Sequence, residues 1–122
     1  MIKNLLLVGL GGSIGSIVRY AASLLITSKV FPYATLSVNI IGSFIIGLVF
    51  ALGIKEAGLS NNWKLFLATG ICGGFTTFSA FSLENMGLLQ TGKISIALTY
   101  IILSIVLGIA ATFLGYLLIT KN

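Results

Sequence analysis

Four uninterrupted apolar runs, residues 2–26, 33–54, 64–90 and 94–120, take up most of the 122-residue chain. Each reaches or passes the ~20 residues that a membrane-spanning helix needs. A membrane barrel would instead show ~10-residue segments of alternating polarity, so strands are disfavoured. Hydrophobic residues make up 57% of the sequence and charged ones 7%, against about 25% charged in an average soluble domain. The chain therefore reads as an all-α membrane protein, a single domain over residues 1–122 with four transmembrane helices. Its short connections leave no room for a soluble catalytic domain. The start, Met1-Ile2-Lys3 before apolar residues, has the look of a signal peptide. No small-residue cleavage site follows, and Arg19 interrupts the run, so it reads as an uncleaved first span.

The third run carries the most specific feature. Its roughly 27 residues would make a helix of about 40 Å at 1.5 Å per residue, more than the ~30 Å of bilayer hydrocarbon. Near its middle stand Gly73-Gly74-Phe75-Thr76-Thr77-Phe78-Ser79-Ala80-Phe81. Adjacent glycines followed by threonines weaken the helical ladder there, which predicts a break in the third helix. Irregular backbone at membrane depth survives only where protein or a watery cavity receives it.

Several function classes fall away. With one cysteine, Cys72, and no histidine, an internal disulfide, catalytic triads, Cys/His metal sites and histidine relays are excluded, and the chain does not read as an enzyme. The net charge of +5 comes from lysines at span ends, ordinary membrane flanking that gives no support for nucleic-acid binding. Four spans place both termini on one face with Lys3, Lys55, Lys64 and Lys121, against Lys29 and Lys93, plus Arg19 if it snorkels, on the other. So small a bias permits insertion in both orientations. A four-helix subunit this small rarely encloses a pathway alone, which predicts oligomerisation. Small residues four apart, Gly11 with Gly15, Ser43 with Gly47 and Gly70 with Gly74, suit close helix packing.

The polar residues within the spans are the candidates for chemistry. Asn39 offers two amide donors and one acceptor where an unpaired polar group costs several kcal/mol; an interhelical hydrogen bond is its plainer role. Arg19 costs roughly 2.5 to 3.5 kcal/mol at a helix centre, and either snorkels or supplies positive potential to an aqueous vestibule. Glu84 is the one carboxylate placed within a span, able to relay protons, cap a polar network or pair with a cation. Tyr100 and Ser104 form a polar stripe one turn apart. Phe78 and Phe81 share a helical face just after the break. Such a pair usually faces lipid or core, yet its ring edges carry positive quadrupole character suited to a small anion that has shed water.

Three segments in order, Gly9-Leu10-Gly11-Gly12-Ser13-Ile14-Gly15-Ser16-Ile17-Val18-Arg19-Tyr20, the Asn39 segment, and Gly73-Gly74-Phe75-Thr76-Thr77-Phe78-Ser79-Ala80-Phe81-Ser82, resemble the signatures of the Fluc (CrcB) fluoride channels. The resemblance covers the whole chain in length and span number, and the third motif is the specific one. It implies a passive exporter of fluoride in the plasma (inner) membrane, built as an antiparallel dual-topology dimer with two pores. By this likeness Asn39 donates to the anion, Phe78 and Phe81 present ring edges, and Arg19 lines a vestibule. Ser79, Glu84, Tyr100 and Ser104 match the polar lining. Because Asn39→Ser loses a donor at the right depth, we expect it to impair passage without unfolding. The broken third helices of two subunits would cross at the dimer centre, where the carbonyls of Gly73 and Thr76 coordinate a structural Na⁺. Two positions depart from the pattern. Ala80 stands where the family commonly has Thr, and Ala34 where Gly usually precedes Thr35. The first leaves open whether this subunit pairs with a second copy of itself or with a homologous second subunit.

Two rival readings share some of these features. A small multidrug exporter has four spans and dual topology but needs a carboxylate in its first span, and residues 1–27 contain none. A non-transporting scaffold or holin-like protein accounts for the glycines but not for Asn39, Arg19 and the Gly-Gly-Phe-Thr-Thr run together.

Overall fold

The computed structural model describes residues 1–28, 30–55 and 58–121. Helix α1 (Ile2–Leu25) and helix α2 (Tyr33–Ile54) form the first two spans, and α6 (Ile94–Thr120) the fourth. The third span, Asn61–Gln90, is composite. A single turn, α3 (Asn61–Lys64), leads into a π-helical segment (Leu65–Cys72), a second short turn, α4 (Gly73–Phe75), and, after two extended residues, α5 (Phe78–Gln90). All four spans are long and apolar enough to cross a membrane. Lys29, counted above on the face opposite the termini, lies outside the described residues.

Polar side chains and one glycine set the ends of these elements. Ser60 caps α3 by accepting from the Trp63 N–H. Thr77 caps α5 by accepting from the Ala80 N–H at 3.2 Å. Helix α5 ends in a Schellman turn: Lys93 N–H reaches the Leu88 carbonyl at 2.8 Å and Gly92 N–H that of Leu89 at 3.2 Å. The turn requires the left-handed φ of 77° found at Gly92, which a Cβ would oppose.

The helices meet in two close pairs. Helix α1 lies along the first half of the third span through facing glycines. A Cβ on Gly70 would stand 2.9 Å from the Gly11 Cα, and one on Gly15 would stand 2.7 Å from the Phe75 nitrogen. Helix α2 lies along α6 in the same manner, Gly47 on the Thr112 backbone and Gly115 on Phe44 and Leu48. The small-residue spacing thus serves contacts inside one chain, where dispersion and polar contacts hold helices that gain nothing from hiding apolar surface. Much of the outer surface is exposed Leu, Ile, Val and Phe, the expected contact with lipid.

The break in the third span falls inside the expected Gly-Gly/Thr-Thr stretch, on its threonines. Gly73 and Gly74 remain helical. The chain leaves the helix at Thr76 (φ −84°, ψ 154°) and Thr77 (φ −151°, ψ 122°).

Candidate functional site

The threonine break is stabilised by partners on three elements. Thr76 turns its hydroxyl back to the Cys72 carbonyl, 2.8 Å away. The Asn39 amide, on α2, pairs with both backbone groups of Thr77: Thr77 N–H donates to Oδ1 at 2.9 Å, and Nδ2 donates to the Thr77 carbonyl at 3.3 Å. Arg19, half-buried on α1, donates from Nε to the Gly74 carbonyl at 3.1 Å. These bonds satisfy backbone that would otherwise be orphaned at membrane depth. They also decide which carbonyls remain for another partner. Because Thr77 N–H turns to Asn39, the Gly73 carbonyl one turn back loses its helical donor, and among the described residues nothing replaces it.

Beside the break lies an open-sided cleft of about 450 Å³. Asn39, Phe78, Phe81 and Ser104 line it, together with Gly73 and Thr76 at the break itself. The two phenylalanine rings sit 5.7 Å apart. Phe78 is 78% exposed, far more than a core role allows, so its ring belongs to the cleft or to whatever covers it. Phe81 is half-buried and leans on Tyr100, ring centroids 5.0 Å apart in an edge arrangement. Ser104 has a buried hydroxyl with no hydrogen-bond partner among the described residues.

Residues 6–116 match the family described as "CrcB-like protein, Camphor Resistance (CrcB)". Proteins named "Fluoride-specific ion channel FluC" are similar along nearly the whole chain. One from Flavobacterium psychrophilum is 49% identical over 123 residues, 98% of each chain. One from Azobacteroides pseudotrichonymphae is 47% identical over 121 residues, 97% of each. A third, from Thermus thermophilus, is 47% identical over 117 residues, 93% of each. The chain belongs to this family. It is an integral protein of the plasma membrane, in a family of ion channels and not of enzymes.

Four of the sequence candidates lie outside the cleft lining of this FluC-family chain. Glu84 and Tyr100 sit behind Phe81. Both carboxylate oxygens of Glu84 accept hydroxyl protons, Oε1 from Tyr100 and Oε2 from Thr35, each at 2.7 Å. Arg19 reaches the break from α1, on the Gly74 side. Ser79 is exposed, its hydroxyl 3.1 Å from that of Thr77. Thr35 was not among the candidates, although its signal was present. Thr35, Asn39 and Ser43 recur every four residues on α2, one polar stripe at helical spacing.

Proposed function

We propose that the chain is a fluoride-selective passive channel that lets cytoplasmic fluoride leave the cell and so relieves its toxicity. It works as an antiparallel dual-topology homodimer, with one pathway in each half lined by Asn39, Phe78 and Phe81. One observation carries the reading. The cleft that gathers these three residues at the helix break belongs to a chain 47–49% identical to proteins named as fluoride-specific channels. The cleft is open on one side, so a single chain supplies one wall and a second copy supplies the other.

The chemistry follows from the donors. Asn39 spends one amide hydrogen on the Thr77 carbonyl and keeps the second for an anion. The ring edges of Phe78 and Phe81 offer positive quadrupole without a fixed charge, and among the described residues no Lys or Arg lines the cleft. An anion is thus held strongly enough to enter and weakly enough to leave. Arg19 raises the potential of the approach. Tyr100 braces Phe81 from behind, Glu84 anchors Tyr100 and Thr35, Ser104 extends the polar lining of this chain's wall, and Ser79, exposed beside Thr77, joins the path only where the second copy closes the cleft. Glu84 does not carry protons with the anion. The chain has no histidine, and both Glu84 oxygens are engaged by neutral hydroxyls.

A structural sodium ion at the dimer centre belongs to the same reading, and the residues fit it. Arg19 takes the Gly74 carbonyl and Asn39 the Thr77 carbonyl, while those of Gly73 and Thr76 accept from no donor among the described residues. Gly73 is exposed, and an added Cβ there would meet only the Ala68 carbonyl at 3.9 Å, which leaves that face open to a second copy. The ion would add positive charge beside the anion path, where low dielectric strengthens its effect.

The test is expression in cells stripped of their own fluoride export. Restored growth in fluoride medium, with lowered internal fluoride, is the expected result. Growth no better than with an empty vector contradicts the reading. A C-terminal tag labelled from both membrane faces supports dual topology, and labelling from one face alone contradicts it.

A further inference from the structure

The stripe on α2 passes its polar groups to partners turn by turn until the last. Thr35 gives its hydroxyl to Glu84 and Asn39 pairs with Thr77, but the Ser43 hydroxyl, one turn further on, has no partner among the described residues. A helical hydroxyl can satisfy itself by folding back on the carbonyl four residues earlier. Ser13, Thr76, Thr99 and Thr112 do so in this chain; Ser43 does not. Ser43 instead lines the same cleft as Asn39, Phe81 and Ser104.

Its position is well determined. The Ser43 carbonyl accepts from the Thr112 hydroxyl at 2.9 Å, which ties this turn of α2 to α6. A Cβ on Gly108 would lie 3.7 Å from the Ser43 oxygen, so the hydroxyl rests against the turn of α6 that begins at Ser104. The Ser104 hydroxyl is itself buried without a partner. Two hydroxyls and the spare Asn39 amide hydrogen thus share one wall, Asn39 and Ser43 about 6 Å apart along α2 at 1.5 Å per residue. All three are neutral donors, and a small hard anion gains most from short O–H and N–H bonds.

We propose that Ser43 is a further hydrogen-bond donor of the anion path, one turn beyond Asn39 and Ser104, which takes the anion on from that pair. The inference rests on the channel reading above. It extends the path along α2, past the turn that Asn39 occupies.

The experiment measures fluoride efflux per assembled protein from liposomes holding the full chain alone, for wild type, Ser43→Ala and Ser43→Thr. A hydrogen bond to a charged group is worth enough for about a tenfold change. Ser43→Ala should therefore lose about tenfold, and Ser43→Thr, which keeps the hydroxyl, should stay within a few-fold of wild type. Should Ser43→Ala fail to assemble, Ser43→Cys replaces it, with similar volume and a weaker donor, and reduced efflux is again expected. Full efflux in the assembled Ala variant, or in Cys where that takes its place, overturns the role of Ser43 and leaves the channel reading intact. A silent wild-type chain overturns both.

Discussion

The Asn39 amide should be worth several kcal/mol to the folded protein, because it is the group that closes the helix break. Asn39→Ala removes both bonds to Thr77, at 2.9 and 3.3 Å, and leaves an N–H and a carbonyl unpaired. Each buried backbone group so stranded costs about 1–3 kcal/mol. Interhelical hydrogen bonds in membrane proteins average less, about 0.6 kcal/mol, because freed groups find other partners. Thr77 lies in extended backbone between two helices and has no such alternative except water from the cleft. The expected loss is therefore about 2–4 kcal/mol. Asn39→Ser should lose nearly as much, since the shorter side chain cannot span both groups, so the expectation that folding is spared gives way to a combined defect in stability and passage. Reversible unfolding in a detergent titration, with assembly followed by size-exclusion chromatography, measures the cost. A loss below about 0.5 kcal/mol for Asn39→Ala would show that cleft water satisfies Thr77 and that the amide does not hold the break.

Phe78→Ile should leave stability nearly unchanged, since that ring is largely exposed, while Phe81→Ile should cost about 1 kcal/mol through its lost edge contact with Tyr100. Both should collapse fluoride flux per assembled dimer, and wild-type flux in both would mean that the rings only fill space. Glu84→Gln should keep efflux electrogenic and indifferent to an imposed proton gradient, read with a pH-sensitive dye inside liposomes; one proton moving with each fluoride in the wild type refutes this. Gly73→Val should spare the fold of the single chain, where only the Ala68 carbonyl approaches, yet abolish dimer formation by crosslinking, whereas Thr76→Ser should dimerise and conduct normally because a backbone carbonyl is the proposed ligand. A normal dimer in Gly73→Val removes the crossing point from the account.

The spans were largely legible because apolar length is a property of each segment alone. The second and fourth begin and end where the apolar runs do, at Tyr33–Ile54 and Ile94–Thr120. The third begins earlier than its run, since Ser60, Asn61 and Asn62 form a polar capping turn that apolar counting cannot see. The break was expected somewhere in the Gly-Gly/Thr-Thr stretch, Gly73 to Thr77, where local propensity is weakest. It falls on Thr76-Thr77 because Asn39, 38 residues away, supplies the bonds that make extended backbone tolerable there. That is a tertiary effect with no local signature, and the π-helical stretch before it left none either. Within the site, Asn39 and the paired phenylalanines announced themselves by polarity and spacing. The division of labour among carbonyls at the break, with Arg19 on Gly74 and Asn39 on Thr77, depends on how three elements pack and could not be read from spacing.

The central claim, that this chain alone conducts fluoride passively, is tested most directly by purifying it, reconstituting it into liposomes loaded with potassium fluoride and potassium chloride, and adding a potassium ionophore. Fluoride should leave only once the ionophore carries the balancing charge, with chloride retained. Fluoride retained after the ionophore is added, or chloride leaving alongside it at a similar rate, would contradict the claim.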